Sequence, residues 1–413
     1  MLASLVGTSV EFYDFYIYAT ATSLVFGPLF FPASSPQAQL LAAYASFSLA
    51  FIARPVGGVI FGHFGDRIGR KSTLVASLLL MGLSTAAIAF LPGYATIGWW
   101  APLLLCLLRL GQGIGLGGEW SGAALLAVEN APPGWRGRFG SVPQLGAPIG
   151  FIAANGFFLI LGNWLTPEQF AAWGWRIPFL ASVTLVALGL WVRLKLTETP
   201  AFAHALEEAP PPAVPLGEVL RSHFVLTAAG TLGVVACFAT YYIATAFALG
   251  FGTTEIGYPR QQFLGAQLIA ILFMAVGIAI AGWASDRVKP GTVLLWGCGM
   301  TIVAGLLLAP LLGSGVMPRA FAFLCIALLA MGFVYGPVSA WLTGLFPARV
   351  RYTATSIAFN LGGIIGGGLT PAIALKLAEK GGLQMVGLYL VAAAALSAAG
   401  ILFAARIDRR AIL

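Results

Sequence analysis

The sequence predicts an all-α membrane protein with twelve transmembrane helices in two pseudo-symmetric six-helix bundles and with both termini in the cytoplasm. Hydrophobic residues make up 59% of the 413 residues and charged residues only 9%, whereas a soluble domain carries about 25% charged residues. Twelve apolar runs are long enough to cross a bilayer, since a span needs about 20 mostly apolar residues. A charged turn between two apolar runs also occurs once in each half of the chain.

Glycine, proline and charged residues separate the twelve predicted spans. Their approximate limits are 3–28, 40–63, 72–92, 101–129, 140–163, 175–194, 222–250, 262–284, 292–313, 319–345, 351–378 and 383–406. The polar stretch after the sixth span contains four prolines, which predict a linker because proline disrupts a helix interior. We therefore expect an amino-terminal bundle at 1–196, a cytoplasmic linker at 197–221 and a carboxyl-terminal bundle at 222–413.

The basic residues predict the orientation. Of the 22 lysines and arginines, 15 fall in the loops and tail on the side of the amino terminus and five on the other side. Because cytoplasmic loops carry the excess of positive charge, this bias places both termini inside. The net charge of +8 does not indicate nucleic-acid binding, since the basic residues are scattered at span ends. The four cysteines lie in apolar runs without metal-ligand spacing.

Several motifs repeat at a nearly constant offset. GHFGDRIGRK at 62–71 has a shorter copy, GWASDR, at 282–287, and the two aspartates are 220 residues apart. RGRFGS at 136–141 matches RVRYTA at 349–354, and GGEW ending at Trp120 matches VSAW ending at Trp341. Such repeats indicate a duplicated six-helix unit, which is how many secondary transporters are built.

These motifs resemble those of a known family. GHFGDRIGRK resembles the loop 2–3 signature of the major facilitator superfamily, and RLGQG at 109–113 resembles its fourth-helix motif. The metabolite:proton symporter branch is similar in EFYDFYIY at 11–18, RPVGG at 54–58, GGEW at 117–120, WGWRIPF at 173–179 and ETPAF at 198–202. The resemblance covers nearly the whole chain. It implies the major facilitator fold, alternating access and proton-coupled uptake of small metabolites, often carboxylates.

Five charged residues lie within predicted spans, all in the first half: Glu11, Asp14, Arg54, Arg109 and Glu119. Such residues are costly in a membrane and usually functional. At about 1.5 Å per residue, Asp14, Arg54 and Glu119 lie roughly 14–15 Å deep, so we expect them to be close together near the midplane. A site of low dielectric constant favours a neutral, protonated carboxyl.

We therefore expect Asp14 and Glu119, and also Glu11, to carry protons. The resemblance ties Arg109 to proton transfer as well. The alternative is a permanent ion network that holds the helices together, with Arg109 as a hydrogen-bonding hub.

Polar side chains inside the spans predict the substrate site. Arg54 is the candidate for binding an anion, and Gln112 shares a helix face with Arg109. The remaining candidates supply hydroxyl, indole or amide groups: Tyr13, Tyr16, Tyr241, Tyr242, Tyr335, Trp341 and Asn360.

The charged turns predict a cytoplasmic gate. We expect Asp66 to accept hydrogen bonds from a facing helix amino terminus, where anions are favoured, and Arg67 to pair with Glu129. The other predicted gate residues are Gly62, Gly69, Arg70, Asp286 and Arg287. The alternative is that the basic residues only set the topology.

The function predicted from the sequence is proton-coupled symport of a small organic acid, a mono- or dicarboxylate, across a bacterial cytoplasmic (inner) membrane. The proton is the coupling ion, and we expect no other cofactor, no metal and no nucleic-acid partner. We expect the protein to work as a monomer in the lipid bilayer. The alternatives are a betaine- or proline-type osmolyte symporter and an uncoupled uniporter. An enzyme is disfavoured because the three histidines lie near span ends or in the linker.

Overall fold

The computed structural model describes residues 2–32, 35–68, 70–195, 215–347 and 350–410, with the side chains of 2–4, 62–74, 192–195, 215 and 408–410 left out of the description. Within these ranges the chain is helical and forms twelve spans, as the sequence predicts. Most of the predicted linker, residues 196–214, lies outside the described residues.

The six spans of the amino-terminal half are α1 to α6. Their bounds are Leu2–Ala21 with Thr22–Phe26 and Gly27–Phe30 (α1), Pro36–Ile68 (α2), Arg70–Ile88 (α3), Trp100–Leu116 with Glu119–Glu129 (α4), Arg136–Ser141 with Gly146–Trp164 (α5), and Arg176–Lys195 (α6).

The six spans of the carboxyl-terminal half are α7 to α12. They are Phe224–Gly233 with Val235–Tyr242, Ile243–Phe247 and Ala248–Phe251 (α7), Arg260–Ser285 (α8), Pro290–Leu312 (α9), Met317–Tyr335 with Val338–Gly344 (α10), and Arg351–Gly363 with Ile364–Gly368 (α11). The last helical stretch, Thr370–Arg410, completes α11 and holds α12. The two parts join at Gly382, whose φ of 69° is a left-handed conformation that glycine adopts readily.

Hydropathy supports the assignment of these helices as membrane spans. Within the described ranges, eight helical stretches are long and apolar enough to cross a bilayer, and the stretch at Arg351–Ile407 is 57 residues long. A ninth candidate is a pair of helices bent by 42°, Pro167–Gly174 with Arg176–Trp191. Exposed tryptophans lie near the ends of several spans, where they are typical of a membrane interface: Trp99, Trp100, Trp135, Trp164, Trp173, Trp191 and Trp283.

The end of the predicted linker is helical. Residues Pro215–Ser222 form a short helix, and Val219 in it is fully buried. Pro215, one of the four prolines in the polar stretch, stands at the first helical position, where its missing N–H removes no hydrogen bond of the helix.

The two halves also share an unusual local feature. A π-helical turn at Thr22–Phe26 in α1 has a counterpart at Ile243–Phe247 in α7. The first residues of the two turns are 221 positions apart, which equals the offset between Trp120 and Trp341. The repeat is therefore visible in the backbone as well as in the sequence.

Close backbone packing fixes α2 against α4. A Cβ atom on Gly57 would lie 2.0 Å from the carbonyl oxygen of Ile114, and one on Gly117 would lie 2.1 Å from that of Arg54. Only glycine permits this approach, which places Arg54 on α2 beside the interruption of α4.

Candidate functional site

A cavity lies between the two halves, lined from both. Its volume is about 50 Å³. The lining residues come from α1, α2, α4, α7, α10 and α11: Glu11, Phe12, Phe15, Tyr16, Arg54, Leu116, Trp120, Cys237, Phe238, Tyr241, Tyr242, Met331, Tyr335, Phe359 and Asn360.

Arg54 provides the positive charge of this cavity. Its guanidinium carbon lies 4.5 Å from the ring centroid of Phe15 and 4.7 Å from that of Phe51. Glu11 acts on it electrostatically, yet among the described side chains no carboxylate oxygen comes within the 4 Å of a salt bridge. The cation is therefore held by aromatic rings and stays available to an anion in the cavity.

An aromatic wall surrounds the cation. Tyr16 stacks on Tyr241 with 5.1 Å between the ring centroids, and Tyr242 packs edge-on against Phe15 at 6.3 Å. The hydroxyls of Tyr241 and Tyr335 are buried and accept or donate no hydrogen bond within the described part of the chain. Six predicted substrate residues thus line the cavity: Arg54, Tyr16, Tyr241, Tyr242, Tyr335 and Asn360.

Three other predicted substrate residues lie outside this lining. The Tyr13 hydroxyl donates to the carbonyl oxygen of Pro178 at 2.7 Å, and Gln112 is bonded within the first half. Trp341 packs against α7, where a Cβ on Gly233 would meet its ring at 2.3 Å. Their role in substrate binding stays a prediction. These spans are buried on several sides, so burial does not reveal which side faces the cavity.

Asp14 is the most isolated buried carboxylate among the described residues. It is 1% exposed, and within the described part of the chain neither carboxylate oxygen accepts a hydrogen bond. Ser182 and Thr85 are its polar neighbours, and Glu119 acts on it electrostatically. Glu119 accepts a hydrogen bond from Ser77 at 2.5 Å.

Asp14 and Glu119 are therefore neighbours, as expected from their depth. Arg54 is influenced electrostatically by Tyr242, Tyr16 and Tyr335, and to a smaller extent by Glu11. Glu11, the third carboxyl predicted to carry a proton, lines the cavity.

Arg109 is buried in the amino-terminal half and joins a chain of polar groups. Its Nη1 donates to Gln112 at 2.9 Å, and Gln112 donates to the Thr85 hydroxyl at 2.8 Å. Its guanidinium carbon also lies 4.0 Å from the ring centroid of Tyr18. The chain leads from Arg109 to Thr85, which is a polar neighbour of Asp14.

At the cytoplasmic side, Asp286 joins the two halves. It accepts hydrogen bonds from the main-chain N–H of Gly137 at 2.6 Å and of Arg138 at 3.3 Å, and it forms a 3.1 Å salt bridge with the Arg138 side chain. The sequence predicts that Asp66 accepts hydrogen bonds from a helix amino terminus. The structure has this arrangement at Asp286, the repeat of Asp66 in the second half. Asp286 is favoured there because helix amino termini attract anions.

The remaining predicted gate residues divide into three groups. Glu129 pairs with Arg351 at 3.2 Å, a cross-half partner other than the one expected. Arg287 stacks on its own neighbour Trp283, with 3.6 Å between guanidinium carbon and ring centroid. The side chains of the others lie outside the described residues: Gly62, Asp66, Arg67, Gly69 and Arg70.

Contacts also join the halves on the outer side of the cavity. Tyr44 donates to the carbonyl oxygen of Ala246 at 2.8 Å, and Ser23 donates to the same oxygen at 3.1 Å. Gln37 bonds Glu255 at 2.9 Å nearer the outer surface. The structure therefore has the cavity between inner and outer closing contacts.

Sequence reasoning missed several cavity residues. Trp120 and Phe359 stack at 3.5 Å with an angle of 2° between their planes, and the Trp120 indole donates to Gln144 at 3.2 Å. Cys237, Phe238 and Met331 also line the cavity. Apolar residues in apolar spans give no signal of their own, although Trp120 belongs to the GGEW motif.

Comparisons with known proteins agree with this architecture. A family model of the Major Facilitator Superfamily matches residues 5–371, and the chain belongs to that family. It is 48% identical to the inner membrane metabolite transport protein YhjE of Escherichia coli K12, over 96% of this chain and 91% of that protein.

More distant relatives cover similar lengths. The identity is 38% with the shikimate transporter of the same organism, over 96% and 92% of the two chains, and 32% with its proline/betaine transporter, over 95% and 80%. A solved structure of the xylose transporter XylE, in a partially occluded inward-open conformation, superposes with a TM-score of 0.74 at 17% identity, over 97% and 95% of the chains. The protein is a multi-pass secondary transporter of metabolites, and not an enzyme.

Proposed function

We propose that the protein is a proton-coupled symporter of a small organic acid, a mono- or dicarboxylate, working by alternating access. The observation that carries the proposal is Arg54, a cation in the central cavity without a salt bridge among the described side chains. A guanidinium binds a carboxylate through two parallel hydrogen bonds, which provides both affinity and geometric selection. The small cavity favours a compact substrate.

The proton sites proposed are Asp14 and Glu119, with Glu11 and Arg109 as further participants. Asp14 is buried, and no described residue donates a hydrogen bond to its carboxyl group. This environment disfavours the ionised form. Hydrogen bonds link Arg109 to Gln112 and Gln112 to Thr85, which is a polar neighbour of Asp14. This chain of polar groups connects the charge of Arg109 with the Asp14 carboxyl. Cytoplasmic gating is assigned to Asp286, Arg287 and Glu129, together with Gly62, Asp66, Arg67, Gly69 and Arg70.

A zwitterionic osmolyte is the second candidate substrate. The cavity places Glu11 and Arg54 together with the rings of Trp120 and Phe238, and aromatic rings are typical of sites for quaternary ammonium groups. The 32% identity to a proline/betaine transporter is in line with this candidate. An uncoupled uniporter would need the cavity but not the buried carboxyls.

The test begins with substrate identification. Purified protein is heated with mono-, di- and tricarboxylates, betaines and shikimate-like acids, and the compound that raises the unfolding temperature is used for uptake into proteoliposomes. Uptake is expected to require an inward proton gradient, to collapse with a protonophore and to fail in Glu119→Gln, which keeps an acceptor for Ser77. Uptake unaffected by both the protonophore and the substitution would refute proton coupling.

We also propose that the protein resides in a bacterial cytoplasmic membrane and functions as a monomer. The name of its 48% identical relative includes the inner membrane. All site residues proposed above belong to one chain, which supports the monomer as the transporting unit.

A further inference from the structure

Three side chains on one face of α11 reach the interruption of α4. Tyr352 donates to the carbonyl oxygen of Gly118 at 2.6 Å, while Ser356 and Asn360 donate to that of Gly117 at 3.3 and 2.9 Å. Because they are spaced four residues apart, the donors form a single row on the helix. We call this row, Tyr352, Ser356 and Asn360 with the two carbonyls, the α11 clasp.

The interruption of α4 explains why the acceptors are there. The helix ends at Leu116 and resumes at Glu119. On one side Gly117 is pressed against α2, since a Cβ would lie 2.4 Å from the main-chain nitrogen of Gly58. Its carbonyl oxygen is bonded by α11 of the other half. The clasp thus joins the two halves through the main chain, which side-chain chemistry alone would not reveal.

The clasp extends from the cytoplasmic end of α11 to the cavity. Tyr352 is the second residue of that helix, whereas Asn360, eight residues on, lines the cavity. Ser356 and Asn360 are each only 5% exposed. In contrast, the Glu129–Arg351 pair nearby is largely exposed, and exposed pairs contribute little because water screens them.

We propose that the α11 clasp is the inner gate of this transporter and that Tyr352, Ser356 and Asn360 are its positioning residues. Opening toward the cytoplasm separates α4 from α11, so the cavity can reach the cytoplasm only when the three hydrogen bonds break. Asn360 belongs to both cavity and gate. The inference rests on the alternating access of the proposed function, but on neither its substrate nor its coupling ion.

Cys237 provides a native reporter of opening. It lines the cavity and is 1% exposed, so a thiol reagent reaches it only when the cavity opens. In a parent protein with Cys106, Cys298 and Cys325 replaced by serine, a membrane-impermeant maleimide is added to either face of oriented vesicles. The rate of labelling from the cytoplasmic face measures inward opening without any substrate or proton gradient.

Conservative variants with matched controls decide the proposal. Tyr352→Phe and Ser356→Ala each remove one clasp hydrogen bond, and each is expected to speed cytoplasmic labelling about fivefold, the effect of a typical buried hydrogen bond. Thr355→Ala removes a buried hydroxyl on the same helix that has no hydrogen-bond partner among the described residues, and should leave the rate unchanged. Tyr44→Phe removes an outer cross-half bond and should shift labelling toward the outer face.

Tyr352→Phe and Tyr44→Phe together distinguish a failure of the clasp proposal from a failure of alternating access. Opposite shifts in Tyr352→Phe and Tyr44→Phe support the clasp as inner gate. A shift in Tyr44→Phe alone overturns the clasp while leaving alternating access intact. Equal labelling of Tyr352→Phe, Ser356→Ala and the Thr355→Ala control overturns it as well, whatever the uptake assays give.

Discussion

The indole ring of Trp120 lies parallel to the phenyl ring of Phe359, with 3.5 Å between their centroids and 2° between their planes. The pair joins α4 to α11 at the cavity wall. Trp120 is fixed further by Gln144, which itself bonds Ser339 of the other half at 2.8 Å. The cavity wall on this side is therefore part of the contact between the halves.

We expect this ring pair to contribute to the closed state. Trp120→Leu and Phe359→Leu, made singly and together, should show a coupling free energy of about 0.5–1.5 kcal/mol, as aromatic pairs do beyond their buried area. The rate of Cys237 labelling from the cytoplasmic face measures the closing equilibrium in each variant. Strictly additive effects of the two substitutions would mean that the rings do not stabilise closure together.

Arg54 should determine anion affinity. Arg54→Gln is expected to raise KM for an organic acid roughly tenfold to a hundredfold, since a hydrogen bond to a charged group contributes about 1.5–3 kcal/mol. Arg54→Lys keeps the charge but not the planar fork and should be intermediate.

Initial rates of uptake over a range of substrate concentrations measure this effect. Arg319→Gln is the control, because Arg319 is exposed at the start of α10 and is not part of the cavity lining. An unchanged KM in Arg54→Gln would remove Arg54 from the binding site.

Asp14→Asn should separate coupling from folding. The carboxyl is buried, and no described residue donates a hydrogen bond to it, so the variant with a neutral amide there should fold normally. We expect loss of substrate accumulation driven by a proton gradient, with substrate exchange across the membrane preserved.

Counterflow assays beside gradient-driven uptake measure the two activities. Glu168→Gln, which changes an exposed carboxylate in the short helix Pro167–Gln169, is the control. Destabilisation by about 3–5 kcal/mol would instead indicate the structural ion network, since stranding a buried charge has that effect.

The two cytoplasmic carboxylates should differ in importance. The Asp286 side chain is 4% exposed and accepts two main-chain hydrogen bonds besides its salt bridge, whereas that of Glu129 is 54% exposed. Asp286→Asn should therefore weaken closure by about 1.5–3 kcal/mol, and Glu129→Gln by about 0–1 kcal/mol. The same Cys237 labelling, run on both variants, ranks them. A larger effect from Glu129→Gln would contradict the assignment.

Gly57→Ala should disrupt the packing of α2 on α4. The added methyl would lie 2.0 Å from the Ile114 carbonyl oxygen, a distance that forces the helices apart. Gly156→Ala is the matched control in α5, where the added methyl meets nothing within 4 Å and alanine improves helix propensity by up to about 1 kcal/mol. Thermal unfolding in detergent should show a large loss for the first and no loss for the second. Equal unfolding temperatures for the two variants would mean that separating α2 from α4 does not destabilise the protein.

The sequence predicts the spans well because length and hydropathy determine them directly. The charged residues inside apolar runs likewise point to the interior, and both Arg54 and Asp14 are buried there. The repeated aspartate predicts a gate residue. A helix start was expected as the partner of Asp66, and the structure has such a partner at its repeat, Asp286.

The faces of the helices are harder to predict. In α1, Tyr13 and Tyr16 are both almost fully buried, yet only Tyr16 lines the cavity. Trp120 and Phe359 are apolar residues in apolar spans, so nothing in their chemistry singles them out. The clasp depends on main-chain carbonyls of Gly117 and Gly118, which a sequence does not show as acceptors.

The paired π-helical turns at Thr22–Phe26 and Ile243–Phe247 bear on the ancestry of the chain. Such a turn contains one residue more than the corresponding α-helical turn. Its presence at equivalent positions is most simply explained by a single ancestral insertion that preceded gene duplication. The two halves differ in the charges buried within their spans, whereas both have this turn at the same position of the repeat.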